Sequence, residues 1–142
     1  MTEDDAKKSL FLHSFRYDLA DSPHMESGFL GMLRPYRGLR EESFHEVMAA
    51  LETLGPSLAR GSSIDRHVIS SLWSICLLAH AWGVEPDGML RRNGLISTED
   101  VQRLEEWIKI ISWAVFFVID GGDDESALGP YRQYCARTSA AK

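Results

Sequence analysis

His67, Ser70, Ser71 and Ser74 recur at i, i+3, i+4 and i+7, the spacing that gathers them on one side of a helix. A histidine beside a serine is the start of a nucleophile–base pair. Such a pair also needs a group to orient the base and donors for an oxyanion, and no strand–turn–helix elbow is present to supply them. Small side chains that let a neighbouring helix approach explain the stripe without catalysis.

Cys76 and His80 stand four residues apart on one helix face, as two zinc ligands would. No further pair follows at ligand spacing, and the five histidines (13, 24, 45, 67 and 80) contain no His-Glu-x-x-His motif. Asp120-Gly-Gly-Asp-Asp-Glu125 offers oxygen donors but lacks the regular alternation and distal Glu of a calcium loop. Neither a metal nor a cofactor is expected. Arg34, Arg37 and Arg40, with Tyr36 between them, present guanidinium forks suited to a phosphate or carboxylate. Pro35 and Gly38 break any shared helix face there, and Glu41 and Glu42 stand close by.

The elements that would position these residues are helical. Val101, Leu104, Ile108, Ile111, Val115 and Val118 alternate at spacings of three and four. Trp107, Ile110, Ala114 and Phe117 form a second stripe, and Trp113, Phe116 and Ile119 narrow the gap between the two. A helix so apolar in its second half must be covered on several sides. The expectation is a helix over about 98–119, capped by Ser97, stopped by Gly121-Gly122 and wrapped by the rest of the molecule. A second helix over about 64–82, capped by Ser62 or Ser63 and stopped by Gly83, is apolar almost all round in its second half. These two are expected to pack together at the centre of a bundle.

Around them, Phe44, Val47, Met48, Leu51 and Leu54 mark one face of a helix over 41–54 that Gly55-Pro56 should end. Leu10–Leu19 reads as helix, Ser22-Pro23 as a helix start before a buried patch at 29–33, and Gly129-Pro130 as the opening of a short last helix. The fold class predicted is all-α: one helical domain of four to six helices over 9–137, with flexible tails at 1–8 and 138–142.

Composition narrows the function classes. A chain of 142 residues with 44% apolar residues buries roughly 70% of its unfolded surface, enough for one well-filled core. Acidic residues outnumber Lys and Arg by 21 to 15, giving a net charge of −6. Nucleic acid is therefore not an expected partner. Two cysteines are too few for a disulfide framework, although spacing alone leaves a Cys76–Cys135 bridge open. The acidic start lacks the features of a secretory signal, and Trp107–Ile119 is too short to span a bilayer. No membrane association is expected, and the expected location is the cytoplasm.

The connection from Gly83 to Ile96 is long for two packed helices, where about 2–8 residues is common. It carries Glu85, Asp87, Arg91 and Arg92, and Asp123, Asp124 and Glu125 form an acidic patch further on. An acidic, well-cored chain without a reaction centre suggests a non-catalytic protein-binding module, of the regulatory, adaptor or immunity-like inhibitor kind. Those seven residues are the expected contacts, toward another protein of basic character. Self-association is a related expectation, because two nearly all-apolar helices exceed what short neighbours can cover. Two alternatives remain. One is a small-molecule-binding protein or hydrolase with a pocket between helices at His67, Ser71, His80 and Trp82. The other is anion recognition by Arg34, Arg37 and Arg40.

Overall fold

Thr2 starts the first helix through a reciprocal cap. Its hydroxyl accepts the Asp5 N–H, and the Asp5 carboxylate accepts the Thr2 N–H, both at 3.1 Å. Helix α1 (Glu3–His13) follows, with Ala6 and Leu10 fully buried, so residues 3–8 are part of the domain and not the expected tail. It ends before the expected Leu19: Phe15 turns left-handed at φ 56° and the Arg16 N–H bonds back to the Phe11 carbonyl at 3.0 Å. The computed structural model describes residues 1–16 and 25–140. The expected start at Ser22-Pro23 lies outside them.

Every described element is a helix or a turn. After a 3-10 turn (Met25–Ser27) come α2 (Glu41–Arg60), α3 (Arg66–Ala79), a π turn (His80–Val84), the single-turn α4 (Met89–Arg92), α5 (Thr98–Ile119) and α6 (Asp124–Ala140). The five longer helices pack into one all-α domain, with no strand among the described residues. Phe29, Leu30, Met32 and Leu33 are buried as expected, but in turns and an isolated Leu33–Tyr36 bridge.

Two helices overrun prolines. Helix α2 continues through Gly55-Pro56 to Arg60, and α6 begins at Asp124 and carries Pro130 inside it. An internal proline costs about 3 kcal/mol through its missing N–H and its ring. Burial of Leu54 and Leu58 on one side, and of Leu128 and Tyr134 on the other, offsets that cost. Residues 138–140 thus complete α6 rather than forming a tail.

Helix α3 starts at Arg66 because Asp65, not Ser62 or Ser63, caps it: its carboxylate accepts the His67 N–H at 2.9 Å. Gly83 does not stop the helix but sits inside the π turn that extends it. The long helix matches its reading closely, with Ser97 accepting the Asp100 N–H at 3.1 Å and Gly121 at φ 83° closing it. Its neighbours are α2, α3 and α6. Trp107 is fully buried at the centre, stacked on Phe44 with ring centroids 5.1 Å apart, and its indole N–H donates to the Tyr134 hydroxyl at 2.9 Å.

Candidate functional site

One side of α5 is not wrapped. Trp107, Ile108, Ile110, Ile111, Ala114 and Val118 are buried, but Trp113, Phe116 and Ile119 are exposed. That corrects the expectation of full coverage over Trp107–Ile119. Helix α3 repeats the pattern, burying Val68, Leu72, Ile75 and Ala79 while presenting Trp73 and Leu77 to solvent. Trp73 is 67% exposed, Phe116 61%, Leu77 54% and Ile119 41%. Isolated exposed apolar residues are ordinary, but these border a single groove.

The groove runs between α3 and α5 and encloses about 620 Å³. Leu72, Cys76 and Ile108 contribute to its lining, Trp73 and Leu77 make one rim, and Phe116 and Ile119 the other. Past Ile119 it continues into a hollow of about 480 Å³ bordered by Ile64, Ile69 and Trp73. Aromatic side chains offer about 150–250 Å² each and aliphatic ones somewhat less. Trp73, Leu77, Phe116, Ile119 and Ile64 therefore leave on the order of 500 Å² of apolar surface in water.

Polar groups are sparse along this face. Burial pushes the Cys76 thiol above its usual range, with Ser112 hydrogen-bonded to it, so it stays protonated and unreactive. His80 lies at one end, paired with Glu85 at 3.1 Å. Arg66 and Asp120 lie at the other, on opposite rims.

The expected contact residues do not converge. Glu85, Asp87, Arg91 and Arg92 precede α5, whereas Asp123, Asp124 and Glu125 follow it. The 22 residues of α5 hold the two groups about 33 Å apart. Several already have structural work: Arg91 donates to the Val84 carbonyl at 2.9 Å, and Asp123 accepts the Ser126 N–H at 2.7 Å. That bond holds the Asp123 carboxyl below its usual range. The long connection does border a crevice of about 570 Å³, lined by Glu85, Arg91 and Glu105 among others.

The imagined pocket also comes apart. His67 is exposed and its Nδ1 accepts from Arg16 at 3.2 Å, which occupies the lone pair a general base would need. Ser71 is fully buried, and among the described residues its hydroxyl has no partner. Trp82 lies under the Arg34 guanidinium, 5.5 Å from ring centroid to Cζ. Of the four residues, only His80 lines the groove. His67 and His80 are separated by about 20 Å along the helix.

Nor do the arginines form one anion site. Arg34 covers Trp82, Arg37 pairs with Glu26 at 3.3 Å, and Arg40 precedes α2 with its backbone N–H on the Met32 sulfur. Among the described residues no cluster of three or more His, Cys, Asp or Glu could hold a metal ion, and both cysteines are free thiols.

The run Arg66–Arg92 is long and apolar enough by composition to cross a membrane, a feature the reading of Trp107–Ile119 alone overlooked. Core packing of Val68, Leu72, Ile75 and Ala79 accounts for only part of that hydropathy, since 39% of the apolar window is buried and Trp73 and Leu77 face outward. Sequence reasoning named Phe116 and Ile119 only as covered residues and did not single out Trp73 and Leu77. Their signal was present in the excess of apolar residues on two neighbouring helices. No known protein family, curated protein or solved structure matches this chain.

Proposed function

We propose that this chain is a non-catalytic protein-binding module whose contact surface is the α3–α5 face, its occupant the apolar face of another folded chain. The observation that carries this reading is the shared groove flanked by Trp73, Leu77, Phe116 and Ile119, all held out in water. Aromatic anchors surrounding an apolar centre are what a protein contact favours. The loop and acidic residues become rim groups that tune encounter, not anchors.

A small-molecule site is the weaker reading. The groove's volume falls within the 300–1,000 Å³ typical of ligand pockets, but such sites bury 70–90% of their ligand. Rims exposed as far as Trp73 and Phe116 would leave a bound molecule largely wetted. Among the described residues the groups beside it, Cys76, His80 and Asp120, form no hydrogen-bonded nucleophile–base pair either.

The test is affinity capture from the native host with wild-type chain, Trp73→Glu and Asp123→Asn, followed by titration of the purified captured protein. Specific binding lost in Trp73→Glu and kept in Asp123→Asn supports the reading. Binding that survives Trp73→Glu, with the helical spectrum unchanged, refutes it.

A further inference from the structure

Resting on that reading, we infer that the occupant of the α3–α5 face is a second copy of this chain, joined by a two-fold axis running along the groove. Three observations lead to a second copy, and the first is area. A standard interface takes about 800 Å² from each partner, and homodimer interfaces are about 65% apolar, so each copy must supply on the order of 500 Å² of apolar surface. That is what Trp73, Leu77, Phe116, Ile119 and Ile64 expose.

The second observation is helix direction. The Arg66 end of α3 lies beside the Ile119 end of α5, and His80 lies beside Glu105, so the two helices run antiparallel along the groove. A two-fold axis parallel to them sets α3 of one copy over α5 of the other, again antiparallel. The product is a four-helix contact in which Trp73 and Leu77 of one copy meet Phe116 and Ile119 of its mate. Such an isologous arrangement closes on itself, as most soluble oligomers do.

The third observation is charge. Arg66 and Asp120 sit at the same end of the groove on opposite rims, and among the described residues neither side chain has an ion-pair or hydrogen-bond partner. The proposed axis brings Arg66 of each copy to Asp120 of the other, forming the same pair twice. At the far end His80 and Glu105 already have partners in their own chain, Glu85 and Lys109. The net charge of −6 per copy opposes association at long range, but physiological salt screens exposed charges beyond about 8 Å. At its Arg66 end the face itself carries matched signs.

Sedimentation equilibrium on the purified chain over a wide concentration range tests the inference. The expected result is a reversible dimer of twice the 16.0 kDa chain mass. Trp73→Glu, and separately Phe116→Glu, return it to a single chain while circular dichroism stays unchanged. Arg66→Glu weakens the dimer by about three- to tenfold, and Arg66→Glu with Asp120→Arg restores it.

A single-chain mass at every concentration overturns the inference. So does a dimer that withstands both Trp73→Glu and Phe116→Glu, or one in which the double charge exchange restores nothing. A monomer that still captures another protein through Trp73 overturns self-association and leaves the protein-binding reading standing. A monomer that instead floats with phosphatidylcholine–phosphatidylglycerol vesicles in a Trp73-dependent way overturns both.

Discussion

The backbone N–H of Phe29 donates to Nδ1 of the fully buried His13 at 2.8 Å, which leaves the ring proton on Nε2, facing Glu46 at 3.0 Å. The His13 carbonyl accepts the Leu30 N–H at 3.0 Å as well, so one residue fastens the 28–33 turns to the end of α1. A proton on Nδ1 would replace the acceptor with a donor and break the Phe29 bond.

His13 therefore confers a pH dependence on stability. Burial lowers its pKa from the ordinary 6.5, while Glu46 pulls it partly back. The unfolded chain then takes up the proton first. The contribution is complete above 6.5 and is lost as the pH falls through 6.5 toward the folded value. Urea unfolding should give a flat free energy at about pH 7–8 and a decline below about pH 6.5, ahead of the carboxylates, whose ordinary values lie near 4. His13→Asn, which keeps an acceptor near Nδ1 but does not titrate, should flatten that decline. Parallel pH curves for the two proteins would remove His13 from this role.

Tyr134 links three helices through one oxygen. Its hydroxyl accepts from the Trp107 indole on α5 and donates to the Glu41 carboxylate on α2. Burial, followed by the Glu41 bond, pushes its pKa up, so it stays protonated at neutral pH. Tyr134→Phe leaves the Trp107 N–H buried without a partner, at a cost of about 1–3 kcal/mol. In a Trp107→Phe background the same change should cost clearly less. Equal costs in both backgrounds would show that the bond contributes nothing.

The framework was legible where local chemistry and burial agree. Ser97 with Asp100 announces a helix start, and Phe44, Val47, Met48, Leu51 and Leu54 announce a buried face. Pro56 and Pro130 misled because local rules weigh a proline without the tertiary burial that overrides it. Ser62 and Ser63 misled because a third capping residue, Asp65, stood nearer the first buried turn. The site was legible only in part. Apolar residues all round α3 and α5 imply cover, but the pattern cannot tell an internal partner from an external one. The helix faces that α1, α2 and α6 leave bare are set by packing angles, which periodicity does not encode. The charged candidates have a different history: Asp123, Arg91 and Arg37 take part in caps, turns and ion pairs that depend on the fold.

Two glycines in the connection before α5 are fixed by close approach. A Cβ on Gly83 would come 2.4 Å from Leu104 Cδ2, inside the π turn. A Cβ on Gly88 would come 2.3 Å from the Ala81 carbonyl oxygen and 3.0 Å from that of Glu85. Leu104 is fully buried but its side chain can rotate, so Gly83→Ala should cost about 1–3 kcal/mol. Backbone cannot yield so cheaply, and Gly88→Ala should cost more. Thermal unfolding of the two variants gives the ranking; the reverse order would mean that the loop re-forms around Gly88.

Ser71 tests the catalytic alternative from the stability side. Among the described residues its hydroxyl, shut away from water, has no hydrogen-bond partner, and Nδ1 of His67 already accepts from Arg16. An unpaired buried hydroxyl is a burden on the folded state, because it gives up water and gains nothing in return. Ser71→Ala removes that oxygen at almost constant volume, so it should leave stability unchanged or raise it by up to about 2 kcal/mol. A nucleophilic serine would behave otherwise, since its removal abolishes activity whatever the change in stability. If chemical denaturation shows Ser71→Ala to be destabilising by more than about 1 kcal/mol, the hydroxyl makes a bond through a buried water and the site is polar after all.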